Sequence, residues 1–190
     1  RFRAWAVLTV AFLAQFFSIG VTLFSFGLYV APLEQEFQIS RTALNSGMLV
    51  MMIGMALFSA AIGRLLIRFE IRYLMAIGVT SLALGMIGIA NSTNLWAITL
   101  YIILPISMGV ALLGPLCATT LINSWFDESA EFGLRRGTAM GLATVSTSFG
   151  GIVIAPLTAN LMAESGWRYA LSSEAILLWL VLTPIILLLI

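Results

Sequence analysis

The sequence has no histidine, no lysine and only one cysteine, Cys117. Without histidine, the chain cannot form histidine-ligated haem or metal sites, or Ser-His and Cys-His catalytic pairs. Cys117 lies in an apolar segment and has no partner for an intrachain disulfide, so we interpret it as a small space-filling hydrophobe. These absences argue against an enzyme, a resident metal and a cofactor. The net charge of +1 gives no reason to expect a nucleic-acid partner.

Charge of either sign is scarce: 9% of the 190 residues are charged, whereas 61% are hydrophobic and the mean hydropathy is +1.09. Soluble domains do not have this composition. Uncharged stretches cover residues 4–33, 42–63, 73–126, 137–163 and 175–190. Because about 20 apolar residues span the hydrocarbon core of a bilayer, these stretches predict membrane-spanning helices. The third has room for two crossings, and the polar residues 91–94 break it midway.

We therefore predict an all-α membrane protein with six transmembrane helices and with the lipid bilayer as its immediate partner. The predicted helices cover residues 4–32, 42–66, 72–90, 95–123, 136–163 and 168–190. A β-barrel would need strands of about ten residues that alternate in polarity, and the sequence has no such alternation. Because the chain starts at Arg1 and ends within an apolar run, we expect it to be a piece of a longer polypeptide.

The distribution of arginines predicts the orientation in the membrane. If the N-terminus is inside, seven of the nine arginines fall on the cytoplasmic side, and only Arg41 and Arg168 fall outside. Basic residues near the ends of spans are retained on the cytoplasmic side during insertion. We therefore expect a protein of the cell (inner) membrane with a cytoplasmic N-terminus. The loops 63–72 and 127–136 would then be cytoplasmic.

Small residues and prolines predict how two of the helices pack and bend. Small residues let helix backbones approach closely, and the fifth predicted helix is rich in them. Its glycines are Gly137, Gly141, Gly150 and Gly151. Proline removes a backbone donor, so Pro105 and Pro115 predict bends in the fourth helix.

One face of the first predicted helix carries polar residues at intervals of three and four: Gln15, Ser18, Thr22, Ser25 and Tyr29. Polar groups in hydrocarbon need partners, so this stripe should face a wet cavity or bond to a neighbouring helix. The sequence does not choose between these two alternatives. If the stripe faces a cavity, the candidate substrate-lining residues are Gln15, Thr22 and Tyr29, together with Thr144 and Ser148 of the fifth helix.

Glu174 is the one carboxylate predicted to lie inside a span. It is six residues beyond Arg168, or roughly 9 Å along the sixth helix at about 1.5 Å per residue. A charged carboxylate at this depth is costly unless it is paired, hydrated or protonated, so Glu174 is a candidate proton-coupling residue. The alternative is that it sits at the lipid interface or bonds to polar groups near Ser172 and Ser173.

The stretch "GRLLIRFEIR", residues 63–72, resembles the loop between helices 2 and 3 of the major facilitator superfamily. The matching positions are Gly63, Leu65, Arg68, Phe69 and Arg72. Residues 25–42, 135–151 and 166–168 also resemble that superfamily, most closely its monocarboxylate and oxalate/formate porter branches. The resemblance touches nearly the whole chain.

This resemblance implies half of a twelve-helix fold, built from two three-helix repeats of inverted topology. It implies a secondary active transporter, a symporter or antiporter that moves a small solute such as an organic anion by alternating access. The C-terminal six-helix half of the same polypeptide would be its partner. A gating role is implied for Gly63, Arg68, Glu70, Arg72, Arg135 and Arg136.

Three positions depart from the family pattern. Ile67 stands where the loop has an acid, and Glu70 stands where it has its second glycine, so Glu70 is the carboxylate this loop offers. Phe24 lies near the place where monocarboxylate porters carry a lysine. A lysine-based coupling mechanism therefore does not carry over to this chain.

Two alternatives from other classes stay open. The membrane domain of an ATP-driven transporter would need a cytoplasmic coupling segment, for which residues 127–136 are the only candidate. A six-helix intramembrane enzyme or scaffold is disfavoured by the missing histidine and by the absence of paired intramembrane carboxylates.

Overall fold

The computed structural model describes residues 2–125 and 136–190, and over these ranges the backbone is helical apart from short connections. Six spans are long and apolar enough to cross a membrane, and they are numbered helix 1 to helix 6. Their bounds are Trp5–Phe37, Arg41–Leu65, Ile71–Asn91, Leu95–Trp125, Arg136–Ser165 and Trp167–Leu189. The prediction of an all-α protein with six transmembrane helices is confirmed.

Helix 1 is longer than predicted, because it continues to Phe37 and does not end near residue 32. The predicted end followed the last uncharged residues, but a helix ends where its backbone turns and not where its side chains become polar. Pro32 lies inside the helix without ending it. The turn comes at Gln38, which adopts the left-handed conformation common at helix C-termini, with a φ of 53°.

Helix 1 is interrupted near its middle by a π-helical turn. An α-helical part that ends at Ile19 is followed by the π-helical Gly20–Phe24 and then by a second α-helical part, Phe26–Phe37. A π turn closes its hydrogen bonds over five residues, so it takes up one residue more than an α turn. At about 100° per residue, the face of the second part is rotated relative to that of the first.

Helix 4 is interrupted twice, at the two prolines that predicted bends. The π-helical Ile102–Ile106 contains Pro105, which lacks the amide hydrogen that an α turn would use. The second break is at Gly114, whose extended conformation ends Ser107–Leu113 before Pro115 starts the last segment of the span.

The helix contacts join the first three helices to the last three in a pattern that repeats. Helix 1 packs on helix 5 as helix 4 packs on helix 2, and helix 3 packs along helix 6. Helix 1 also contacts helix 6, as helix 4 contacts helix 3. When helix 1 is matched to helix 4, helix 2 to helix 5 and helix 3 to helix 6, each of these contacts corresponds to another contact in the bundle or to itself. Two three-helix repeats, as in a half of the superfamily fold, would have this pattern.

Glycines set the closest helix crossings. A Cβ on Gly150 of helix 5 would strike the backbone of Phe16 in helix 1, and one on Gly54 of helix 2 would lie 2.8 Å from the Cβ of Ser107 in helix 4. Gly150 therefore has the packing role that the sequence predicted. Nothing lies within 4 Å of the corresponding position at two other predicted packing glycines, Gly137 and Gly141.

Burial is uneven among the six spans. Helix 3 is largely enclosed by its neighbours, whereas helices 2 and 5 keep most of their apolar surface exposed. Leu57 of helix 2 is 69% exposed and Ile152 of helix 5 is 70% exposed. Both helices therefore present broad apolar faces to whatever surrounds the bundle.

Candidate functional site

The polar stripe of helix 1 lies inside the bundle. All five of its residues are at most 8% exposed: Gln15, Ser18, Thr22, Ser25 and Tyr29. Ser25 and Tyr29 bond across to helices 5 and 6, so for these two residues the structure shows the interhelical alternative. The π turn separates them from Gln15 and Ser18, which therefore face a different side of the helix.

Four side chains from three helices form one hydrogen-bonded group, here named the interior cluster: Ser25, Tyr29, Thr158 and Glu174. The Tyr29 hydroxyl donates to Glu174 Oε2 at 3.2 Å, and the Thr158 hydroxyl bonds the other carboxylate oxygen. The hydroxyl oxygens of Ser25 and Thr158 are also bonded, at 3.2 Å. The cluster joins helices 1, 5 and 6 at one point.

Glu174 is half-buried, and its partners differ from those considered at the sequence level. The hydroxyls of Ser172 and Ser173 donate to the carbonyls of Arg168 and Ala170 instead. None of the ion pairs in the described part of the chain includes Glu174. Those pairs are Arg41–Glu34, Arg72–Glu70 and Arg168–Glu36. The hydrogen-bond partners of this carboxylate are therefore hydroxyl groups.

A cavity of about 230 Å³ adjoins the interior cluster between helices 1, 5 and 6. Its wall includes Glu174, Val21 and Ile154. Val21 and Ile154 lie one helical turn before Ser25 and Thr158, so they share a face with these cluster residues. The cavity therefore lies directly beside the cluster and gives a route to the Glu174 carboxylate.

A second cavity, of about 80 Å³, is lined by residues of helices 1, 2, 3, 4 and 6. Two predicted substrate-lining residues, Thr22 and Tyr29, are in its wall, and the rest of the wall is apolar. The Thr22 hydroxyl already donates to the carbonyl of Ser18. This cavity suits a small apolar group better than a charged one.

The remaining predicted substrate-lining residues lie elsewhere. Gln15 is 3% exposed and lies in the first α-helical part of helix 1. Thr144 and Ser148 are on the exposed face of helix 5, and the Thr144 hydroxyl donates to the Met140 carbonyl at 2.9 Å. The five predicted lining residues are therefore divided between the bundle interior and an outer face.

The predicted gating loop is exposed to solvent along most of its length. Gly63 lies near the end of helix 2 with open space around it, and Arg68 and Glu70 are exposed. Arg72 Nε lies 2.8 Å from a carboxylate oxygen of Glu70. The Arg72 guanidinium also lies 4.6 Å from the centre of the Tyr73 ring. Glu70 therefore pairs within its own loop.

The second predicted gating segment is described only in part. Arg135 and residues 127–134 lie outside the described residues. Arg136 begins helix 5, and its Nε donates to Asn123 Oδ1 at 2.7 Å, near the end of helix 4. This bond joins the last part of helix 4 to the start of helix 5.

Glu36, Trp167 and Arg168 form another polar group, here named the end staple. It joins helices 1, 3 and 6 at one end of the bundle. Arg168 Nη1 donates to the carbonyls of Ala90 at 2.7 Å and Ser92 at 2.9 Å, and Nη2 bonds the Glu36 carboxylate. Trp167 Nε1 donates to the same carboxylate at 3.0 Å. The sequence analysis used Arg168 to predict the orientation and, with Trp167, as a point of resemblance, but it did not predict this contact.

Six apolar spans packed into one bundle define a polytopic helical membrane protein. The family model for the Major Facilitator Superfamily matches residues 10–190, and the chain belongs to this superfamily. The chain is therefore an integral membrane protein of a transporter family. The alternatives of an ATP-driven transporter domain and an intramembrane enzyme gain no support from this match.

Two relatives show the same relationship. The chain is 24% identical over 184 residues to the uncharacterized MFS-type transporter YcxA of Bacillus subtilis (strain 168), covering 96% of this chain and 43% of YcxA. It is 29% identical over 153 residues to the MFS-type transporter oryN of Aspergillus oryzae, covering 80% of this chain and 28% of oryN. The chain thus spans less than half the length of either relative.

Proposed function

We propose that the chain is the N-terminal six-helix half of a secondary active transporter that moves a small solute by alternating access. The observation that carries the proposal is the superfamily match over residues 10–190. Two further observations support it: the chain spans under half of its relatives, and helices 2 and 5 leave broad apolar faces exposed. A second six-helix half would cover these faces, and a solute site would form between the halves.

The substrate we propose is a small organic anion such as a monocarboxylate. This finer step rests on the resemblance of residues 25–42 and 135–151 to the monocarboxylate and oxalate/formate porter branches. Thr144 and Ser148 lie on an exposed face of helix 5, where they would meet the second half. Thr22 and Tyr29 line an apolar cavity that would receive the hydrocarbon part of the solute.

Transport would be coupled through Glu174, and a proton is the simplest coupling ion for a lone carboxylate. The bonds from Tyr29 and Thr158 support this role, because they hold the carboxylate between helices 1, 5 and 6. Movement of any one of these helices would change the environment of the carboxylate. Binding of a cation at Glu174 would then be linked to the conformation of the bundle.

The test is uptake by the full-length protein in proteoliposomes, using a panel of labelled monocarboxylates and dicarboxylates with neutral solutes as controls. We expect saturable accumulation of at least one organic anion against its gradient when a cation gradient is imposed. Empty liposomes and a dissipated gradient should each abolish accumulation. Uptake of neutral solutes alone would refute the anion proposal, and no uptake of any solute would refute the transporter proposal.

The proposed orientation, with a cytoplasmic N-terminus, can be tested by cysteine labelling. Cys117 is fully buried, so the native protein should react little with an impermeant thiol reagent. Ile67→Cys, at an 85% exposed position of the 63–72 loop, should stay unlabelled in intact cells. Thr93→Cys, in the exposed turn between helices 3 and 4, should be labelled. The reverse pattern would overturn the orientation.

The proposed gating role of the 63–72 loop can be separated from its effect on orientation. Arg68→Ala in the full-length protein should lower uptake while topology is kept. Arg64→Ala removes the same charge one turn earlier on an equally exposed stretch, and it should transport normally. Equal uptake by the two variants would show that the loop acts only in membrane insertion.

A further inference from the structure

Helices 1 and 4 are broken in the same way, by a π turn that ends at a serine. In helix 1, the backbone amide and the hydroxyl of Ser25 both bond to the Gly20 carbonyl, at 3.1 Å and 3.0 Å. In helix 4, the amide and the hydroxyl of Ser107 both bond to the Ile102 carbonyl, and the hydroxyl lies 2.7 Å from it. The two turns are therefore equivalent in construction, as the matching of helix 1 to helix 4 requires.

Each of these serines also fastens its helix to a neighbour. The Ser25 hydroxyl lies 3.2 Å from that of Thr158 in helix 5, and the Ser107 hydroxyl lies 3.2 Å from the Met51 carbonyl in helix 2. In helix 4, Ser107 starts the short segment Ser107–Leu113, in which six of the seven residues are buried. The part of helix 4 that follows its π turn is therefore firmly held.

The part of helix 4 that precedes the π turn is loosely held. Ile98 is the only buried residue of Leu95–Tyr101. The Thr99 hydroxyl donates to the Leu95 carbonyl of its own helix. In the described part of the chain, no side-chain hydrogen bond joins residues 95–101 to another helix. Segments with few buried contacts move at a low cost in free energy.

The corresponding part of helix 1, Phe26–Phe37, is attached to helix 6 at two points. Tyr29 bonds to Glu174, and Glu36 bonds to Arg168. Of two equivalent π turns, one is therefore followed by a segment that side chains fasten, and the other is preceded by a segment without such attachments.

Two cavities separate these segments of helices 1 and 4. One is the cavity of about 80 Å³ described above, and the other, of about 110 Å³, is lined mainly by helices 1, 2 and 4. Ile98 and Ile102 of helix 4 line both cavities, as do Phe26 and Leu33 of helix 1. Protein interiors are otherwise close-packed, so a segment moves most easily into space of this kind.

We propose that Leu95–Tyr101 is a lid, which bends about the π turn Ile102–Ile106 and closes on Phe26–Phe37 of helix 1. Pro105 has no amide hydrogen, so the turn lacks a backbone bond that would stiffen a continuous helix. On closure, Ile98 would enter the space between helices 1 and 4. The inference rests on the proposed function only in taking the cavity beside Thr22 as one that receives solute, to which the lid would control access.

The movement can be measured without any solute, by pulsed electron spin resonance on the purified full-length protein in lipid nanodiscs. One spin label goes on the lid at Trp96→Cys, which is 78% exposed, and the other on helix 6 at Ile176→Cys, which is 51% exposed. Both labels are in the same half, so movement of one half against the other leaves their distance unchanged. We expect two distances, one for the open lid and one for the closed lid.

The control pair joins Ile77→Cys of helix 3, which is 51% exposed, to the same position on helix 6. It should give a single distance, because helices 3 and 6 pack along each other. A single distance for the lid pair would overturn the lid. Two distances for both pairs would overturn it as well, because the movement would then belong to a whole helix.

Filling the larger cavity should hold the lid open. Gly47 of helix 2 lines this cavity, and a Cβ there would lie 3.8 Å from Ile102 and 3.9 Å from Phe26, so its first carbon fits without a clash. Gly47→Met should lower the closed fraction at least fivefold. Gly27→Met is the control, because nothing lies within 4 Å of a Cβ at this position of helix 1. Native proportions in Gly47→Met would overturn the lid.

Removing the π turn tests the hinge. Deleting Ile103 together with Pro105→Ala removes the extra residue and restores the missing amide, so an uninterrupted α-helix can form with the lid facing its present direction. We expect one distance for the lid pair in this variant. Two distances would overturn the hinge. Gly47→Met tests the lid independently if this variant does not fold.

Uptake by the same protein distinguishes failure of this inference from failure of the proposed function. Two lid distances without uptake of any solute support the lid and refute the transporter. Saturable uptake with a single lid distance overturns the lid and leaves the transporter.

Discussion

The end staple and the interior cluster both fasten helix 1 to helix 6, but they do so in opposite electrostatic ways. At the end of the bundle, the Glu36 carboxylate is paired with Arg168 and Trp167, and its side chain is 39% exposed. Inside the bundle, the Glu174 carboxylate has the hydroxyls of Tyr29 and Thr158 as partners. The staple is complete by itself, whereas the cluster lacks a positive charge.

The two contacts are also matched in position. Tyr29 and Glu36 are seven residues apart on helix 1, and Glu174 and Arg168 are six residues apart on helix 6, in the opposite direction along the chain. Both pairs thus bridge the second part of helix 1 to the first two turns of an antiparallel helix. A complete ion pair suits a fixed attachment. A carboxylate without its counter-ion suits a site that changes state during transport.

The largest expected difference between these regions is in coupled transport. Glu174→Gln removes the negative charge that a coupling cation must neutralise, so gradient-driven accumulation by the full-length protein should fall at least tenfold. Glu36→Gln removes a carboxylate that already has its counter-ion, and accumulation should stay within about twofold of the native value. Equal losses of accumulation in the two variants would contradict the difference between the interior cluster and the end staple.

The next largest effect should be on the stability of the staple when its arginine is removed. Arg168→Met loses charged bonds to the carbonyls of Ala90 and Ser92 and to Glu36, so unfolding in detergent should become easier by about 1–2 kcal/mol. Arg41→Met is the control, because Arg41 is 72% exposed and pairs only with Glu34. Its unfolding temperature should not change measurably. Equal shifts in the two variants would contradict the role of the staple.

A smaller loss is expected when one bond of the interior cluster is removed. Tyr29→Phe deletes the hydroxyl that donates to Glu174 and keeps the ring in place, so stability should fall by about 0.5–1.5 kcal/mol. Because the bond lies inside the bundle, the loss should be the same in low and high salt. A loss that disappears in high salt would place this contact at the surface.

The smallest effect should come from neutralising the acid of the staple. In Glu36→Gln the exposed ion pair with Arg168 is lost, while the amide oxygen can still accept from Trp167. Partly exposed ion pairs contribute about 0.2–1 kcal/mol and are screened by salt. The difference from the native protein should therefore shrink as NaCl is added. A loss larger than that of Tyr29→Phe would reverse the ranking.

Sequence patterns were sufficient for the number and type of helices, because long uncharged stretches and polar turns mark membrane spans directly. They also placed Glu174 inside a span and Tyr29 among the polar residues of helix 1. They could not place these two residues in contact, because hydrogen bonds between distant segments leave no periodic trace. Thr158, which completes the cluster, was not identified at all. It is one of several threonines in helix 5, and its position in the sequence does not distinguish it from the others.

The polar residues of helix 1 lie on two different faces, and the spacing of these residues in the sequence does not reveal the cause. Spacings of three and four residues run from Gln15 to Tyr29 as if one α-helix continued throughout. The π turn Gly20–Phe24 adds one residue, so Ser25 and Tyr29 turn away from the face of Gln15 and Ser18. The sequence around the turn contains no proline. The interruption is therefore visible only in the backbone hydrogen bonds.

The π turn of helix 1 absorbs one residue between Ile19 and Ser25. If the same residues formed an uninterrupted α-helix, the second part of helix 1 would turn by about 100° relative to the first, and Tyr29 and Glu36 would leave helix 6 together, although neither had been altered. Deleting Leu23 would remove the extra residue along with the π turn, so both side chains would keep their direction. The conformation of a single turn thus sets the orientation of every side chain that follows it in helix 1.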